Sequence, residues 1–78
     1  MPTVLRLDGS RFFFFSNEGT EPPHVHVEAV GKSATFWLRP VALARSAGDD
    51  ARELRVLRCL VEAHRDDLEQ AWDAFHRL

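Results

Sequence analysis

Two imidazoles and a carboxylate alternate with valines in the stretch Glu21-Pro22-Pro23-His24-Val25-His26-Val27-Glu28. Strict alternation is the mark of a half-buried strand, whose successive side chains point to opposite faces. Val25 and Val27 then face a core, while His24, His26 and Glu28 line the other side. One chemistry open to such a face is metal binding. His24 and His26 stand about 6–7 Å apart at the backbone, close enough for their rings to converge on one ion. Glu28 lies about 13 Å along the strand from His24 and cannot join them without a bulge. A further ligand would have to come from His64, Glu21 or Asp49. Zinc prefers three or four protein ligands, and no second convincing pair exists in the chain, so no metal and no cofactor is assigned.

A second chemistry is metal-independent acid–base catalysis. Cleavage of RNA by its own 2′-hydroxyl needs a base, an acid and a cation to stabilise the phosphorane. Imidazole, with a reference pKa near 6.5, suits the first two roles. His24 and His26 are the candidate acid/base pair, and Arg39 is the candidate phosphate clamp. Arg6, Arg11, Phe13, Glu28 and Trp37 are the candidate binding residues, because arginines interleaved with aromatic rings are what a single-stranded RNA platform uses. The same face fits two plainer roles, an ordinary solvated strand surface and a protein–protein interface rich in Trp, Phe and Arg.

The elements that would position these residues follow from local patterns. Thr3–Leu7 and Arg11–Phe15 read as strands joined through Asp8-Gly9, which suits a two-residue type I′ turn. That turn sets Leu7 opposite Ser10, Leu5 opposite Phe12 and Thr3 opposite Phe14. Phe12–Phe15 does not alternate, so both faces of that strand are covered or its second face is a contact surface. Residues 16–21 are a loop by composition, and Pro22-Pro23 force an extended entry to the histidine strand. Gly31-Lys32 fits a type II′ turn, with Gly at its first central position. That register pairs Val27 with Phe36 and Val25 with Leu38 on the core side. On the other side it pairs Glu28 with Thr35, His26 with Trp37 and His24 with Arg39.

Pro40 ends the strand. Val41–Ala47 reads as a short helical turn closed by Gly48. Asp50 and Glu53 form a capping box, and Leu54, Leu57, Val61, His64, Leu68, Trp72 and Phe75 keep one helical stripe. An unbroken helix over residues 50–77 would be roughly 40 Å long, longer than a domain of this size is wide. Either its far end projects, with Trp72 and Phe75 holding a homodimer, or it breaks near His64–Asp66, where Asp66 and Glu69 offer a second box. The stripe stays in phase there, which favours one long or bent helix. The expected fold is α+β, one domain over residues 1–78: an antiparallel sheet of two hairpins, about four strands, packed on the C-terminal helix.

Composition narrows the setting. Seventy-eight residues with one cysteine, Cys59, allow no internal disulfide, so the six Phe and two Trp must help supply the core. A reducing, cytoplasmic location is expected. No leader-like or membrane-length apolar run is present. The net charge of −2 gives no global attraction to nucleic acid, so any RNA contact rests on a local basic patch.

The blocks Met1–Arg6, Arg11–Glu18, Glu21–Glu28, Phe36–Pro40 and Ala51–Leu54 resemble a small bacterial family, domain of unknown function 4160. The likeness runs over essentially the whole chain, and the Pro-Pro-His-Val-His-Val-Glu block is its most specific part. By family motif, His24, His26 and Glu28 carry over, with Phe13–Phe15 and Trp37 around them. Family members often have a tyrosine in the Phe run and an acidic residue before the proline after Trp-Leu; here those places hold Phe and Arg39. The resemblance implies a small cytoplasmic protein encoded beside a second small protein, its partner in a toxin–antitoxin or stress pair. It names no activity. RNA and a second copy of the chain are the other partners expected, and a membrane is not.

Overall fold

The computed structural model describes residues 3–7, 9–15 and 18–77. Its elements are β1 (Thr3–Leu7), β2 (Ser10–Phe13), β3 (His24–Ala29), β4 (Lys32–Leu38), β5 (Val41–Ala47), α1 (Ala51–Ala63) and α2 (Arg65–His76). The strands form one antiparallel meander in chain order, so the fold is α+β with one strand more than expected.

In the first hairpin Leu7 pairs with Ser10 and Leu5 with Phe12, as a two-residue turn requires. Asp8 lies outside the described residues, as do Ser16 and Asn17 of the loop. The register then shifts between Thr3 and Leu5, and Thr3 stands opposite Phe13 rather than Phe14. Phe12 and Phe14 are buried in the core while Phe13 is buried on the opposite face, so this strand is covered on both sides.

The second hairpin turns one residue earlier than Gly31-Lys32 implies. Ala29 pairs with Lys32, leaving Val30-Gly31 as the turn, with Gly31 at φ 69°. A type II′ turn needs positive φ at its first central position; here the glycine occupies the second, as types I′ and II demand. The correction moves every cross-strand partner by two residues. Val25 pairs with Phe36, His26 with Thr35 and His24 with Trp37. Because a strand repeats every two residues, that shift changes neighbours without exchanging faces. Val25, Val27, Ala34, Phe36 and Leu38 all remain in the core.

The expected helical turn over residues 41–47 is instead β5. The chain reverses at Arg39-Pro40, and Leu38 pairs with Val41. The Ala, Leu and Arg of this segment favour a helix only weakly; laid against β4, it instead satisfies that strand's outer backbone donors and acceptors.

The Asp50–Glu53 capping box forms as expected. Glu53 N–H donates to Asp50 Oδ1 (2.8 Å), and Asp50 N–H donates to Glu53 Oε1 (3.0 Å). The long helix is interrupted at His64. Its backbone bonding nonetheless runs through the break: His64 N–H donates to Leu60 O (3.1 Å) and Leu68 N–H donates to His64 O (2.9 Å). The second capping box is not used, since no side chain caps α2. Leu57 and Val61 of α1 and Leu68 and Trp72 of α2 share one core with the strands. Trp72 is 4% exposed. The projecting end expected to carry a dimer through Trp72 and Phe75 is therefore folded onto its own chain. The ion pairs Arg58–Glu62 and Arg65–Glu69 lie on the helix surface, where they contribute little to stability. Among the described residues no helix is long and apolar enough to cross a membrane.

Candidate functional site

Glu18 brings the two histidines of β3 to a common point. A tight turn follows β2, in which Glu18 N–H donates to Phe15 O (3.3 Å) and Glu21 N–H donates to Glu18 O (3.1 Å). The turn directs the Glu18 carboxylate over the start of β3. Its Oε1 lies 2.8 Å from His24 Nε2 and 2.8 Å from His26 Nε2. Gly19 permits this path: a Cβ there would lie 2.9 Å from His76 Cδ2. The His76 ring has its nitrogens 3.1 Å from Trp72 O and 3.1 Å from Phe15 O, spanning α2 and the end of the Phe run.

The outer ring nitrogens are held as well. His24 Nδ1–H donates to Pro22 O (2.9 Å), since a carbonyl can only accept. His26 Nδ1 lies 3.2 Å from Thr35 Oγ1, which can serve it as donor or acceptor. The backbone bond from Leu38 N–H to Pro23 O (3.0 Å) aligns the strand entry that presents Pro22.

The surroundings are aromatic. The Phe13 ring stacks on His26 (5.4 Å, 24°), and Phe15 meets it edge-on (4.7 Å). Trp37 and Trp72 pack on His24 at 5.4 and 4.9 Å. Side-chain exposure grades from 3% for His24 through 18% for His26 to 21% for Glu18, so the cluster opens to solvent on the Glu18–His26 side. Burial alone would raise the Glu18 pKa. Hydrogen bonds from His26 and His24, with the charge of both rings, outweigh it and hold the carboxyl below its ordinary 4.5.

The other sequence candidates divide into two groups. Arg11 lies over the Phe13 ring (4.3 Å) and pairs with Glu28 across the strands (3.0 Å). Arg6 is exposed opposite Arg11 on β1, and Trp37 stands across from His24. These residues and the histidines form one surface. Arg39 does not join it. The two-residue register shift moves it off His24, and its guanidinium donates to Glu69 (2.8 Å) and lies 3.8 Å from Asp73, both on α2. Glu28 engages Arg11 rather than the histidines. Of the ligands weighed beside the histidines, His64 turns its ring to Leu60 O (2.9 Å) between α1 and α2, and Asp49 adjoins the cap of α1. Neither these nor Glu21 belongs to the grouped donors, which are Glu18, His24 and His26.

Glu18 is the residue that sequence reasoning missed. It sits in a polar loop with no periodicity, six positions before His24. The one signal available was that a carboxylate just upstream of two same-face histidines can fold back over them.

A family model described as a domain of unknown function, DUF4160, matches residues 9–73. No curated protein and no solved structure matches the chain. The match runs from the first turn to the last turns of α2 and takes in Glu18, His24 and His26: the chain belongs to the DUF4160 family.

Proposed function

We propose that this protein is one member of a bacterial two-gene toxin–antitoxin or stress pair, working in the cytoplasm on RNA at the Glu18–His24–His26 centre. The observation that carries the reading is the setting of His26. It is a partly exposed imidazole beside the partly exposed Phe15 ring, with Arg11 beyond Phe13 on the same surface. That combination offers a proton-transfer group, a ring for a base to stack on and a cation for a phosphate. Arg11, which lies over Phe13 on the histidine face and pairs there with Glu28, takes the part first given to Arg39, because Arg39 is turned away from that face to α2. His24, 3% exposed against 18% for His26, orients the centre rather than meeting substrate.

The experiment is cleavage of a labelled single-stranded RNA by purified protein, compared with His26→Ala and Arg11→Ala. Loss of cleavage in the first and weakened RNA retention in the second are expected. No cleavage above a mock preparation would overturn the enzymatic reading. A non-catalytic rival, the holding of a second copy or of the neighbouring gene's product, is favoured by one observation. β5 is an outer strand with Leu43–Ala47 exposed and no strand beyond it among the described residues, and such edges pair with other chains. Partner binding that survives His26→Ala, without RNA cleavage, is its expected result.

A further inference from the structure

We propose that Glu18, His24 and His26 form a binding site for one divalent transition-metal ion, held by Glu18 Oε1 and the two Nε2 atoms. The inference does not depend on the RNA reading; with Nε2 on the ion, His26 would serve as a ligand rather than as the proton-transfer group.

Three features of the geometry carry it. The first is convergence: one ligand atom from each residue, all within 4.8 Å of one another, with both nitrogens 2.8 Å from the same oxygen. An ion about 2.1 Å from each donor sets neighbouring donors about 3.0 Å apart at right angles and about 3.4 Å apart in a tetrahedron. The two nitrogen–oxygen spacings need an opening of only a few tenths of an ångström to meet the first.

The second is the proton arrangement. His24 Nδ1 must carry hydrogen to satisfy Pro22 O. With Nδ1 so engaged, Nε2 is the ring nitrogen left to face Glu18 Oε1 and to ligate an ion. Outer hydrogen bonds to Nδ1, here from Pro22 O and Thr35 Oγ1, are the usual way ligating histidines are oriented.

The third is asymmetry of access. The buried His24 and the Phe13, Trp37 and Trp72 rings close one side, and the Glu18–His26 side opens to solvent. Two histidines and one carboxylate with open positions is the donor set of catalytic zinc and of non-haem iron sites. Such an ion also supplies a positive charge that Arg39, turned to α2, does not bring to the histidines.

The test uses the full chain, stripped with a chelator and titrated with zinc alone, without RNA. Uptake of one equivalent per chain is expected. Glu18→Ala and His26→Ala, whose side chains are partly exposed, should stay folded by circular dichroism and weaken zinc more than about 100-fold. Thr35→Val, which removes an outer partner, should weaken it roughly 10–100-fold. His64→Ala should leave it unchanged. Cobalt in place of zinc should give visible absorption bands that are altered by His26→Ala. Stoichiometry clearly below one, or zinc uptake unmoved in folded Glu18→Ala and His26→Ala, would overturn the proposal. Because RNA is absent, that failure leaves the RNA reading standing. Full zinc uptake in a protein that cleaves no RNA would sink the RNA reading alone.

Discussion

Replacing Trp72 tests whether α2 belongs to the chain's own core or serves as an arm for a second copy. The indole is 4% exposed and contacts three rings: Phe14 edge-on at 5.3 Å, His24 at 4.9 Å and His76 at 3.9 Å. Truncating a buried Trp to Ala costs about 3–5 kcal/mol. Natural domains hold about 5–15 kcal/mol in all, and one this small sits near the low end. Trp72→Ala should therefore be marginal, with about 0–2 kcal/mol left and a measurable unfolded fraction near ambient temperature. Trp72→Phe keeps a ring in the site and is the informative variant, at a cost of about 1–2 kcal/mol. At about 4–8 °C per kcal/mol for a domain of this length, Tm should fall by about 4–16 °C. With an m-value of about 1 kcal/mol/M, the urea midpoint should fall by about 1–2 M. Circular dichroism reads both, and light scattering on a sizing column reads the oligomer. A Trp72→Phe midpoint unchanged within error, together with a changed oligomeric state, would refute the packing argument and restore Trp72 as an intermolecular contact.

Two further outcomes follow from the same geometry. Gly19→Ala should lower Tm and weaken zinc binding, because the new Cβ meets the His76 ring at 2.9 Å and displaces the turn that carries Glu18; combining it with His76→Ala should recover the zinc affinity, and a Gly19→Ala protein with native affinity would show that the turn adjusts freely. Arg39→Ala should leave both zinc uptake and any RNA cleavage unchanged and move the denaturation midpoint little, since Arg39 itself is about half exposed in its pairs with Glu69 and Asp73; a large drop in cleavage rate would return Arg39 to the site.

The parts of this protein legible in the sequence are those governed by neighbours along the chain. A period of two separates Val25 and Val27 from His24 and His26 whatever the register, so the division into core and functional faces survived an error of two residues. Asp50 and Glu53 cap a helix through contacts made within its first turn. Leu57, Val61, Leu68 and Trp72 declare one apolar side by their spacing. Tertiary structure decided the rest, each time because the deciding partner is distant in sequence. Val41–Ala47 is a strand because the free edge of β4 is there to receive it. The C-terminal helix is interrupted at His64, and both halves pack into the core of the sheet. Arg39 turns to Glu69 and Asp73 because α2 passes beside it. Glu18, a loop residue without pattern, becomes the third member of the site through the turn after β2 and the close approach of Gly19 to His76. Two histidines on one strand face were visible in the sequence; the carboxylate oxygen that makes them a centre depends on how the chain folds back over them.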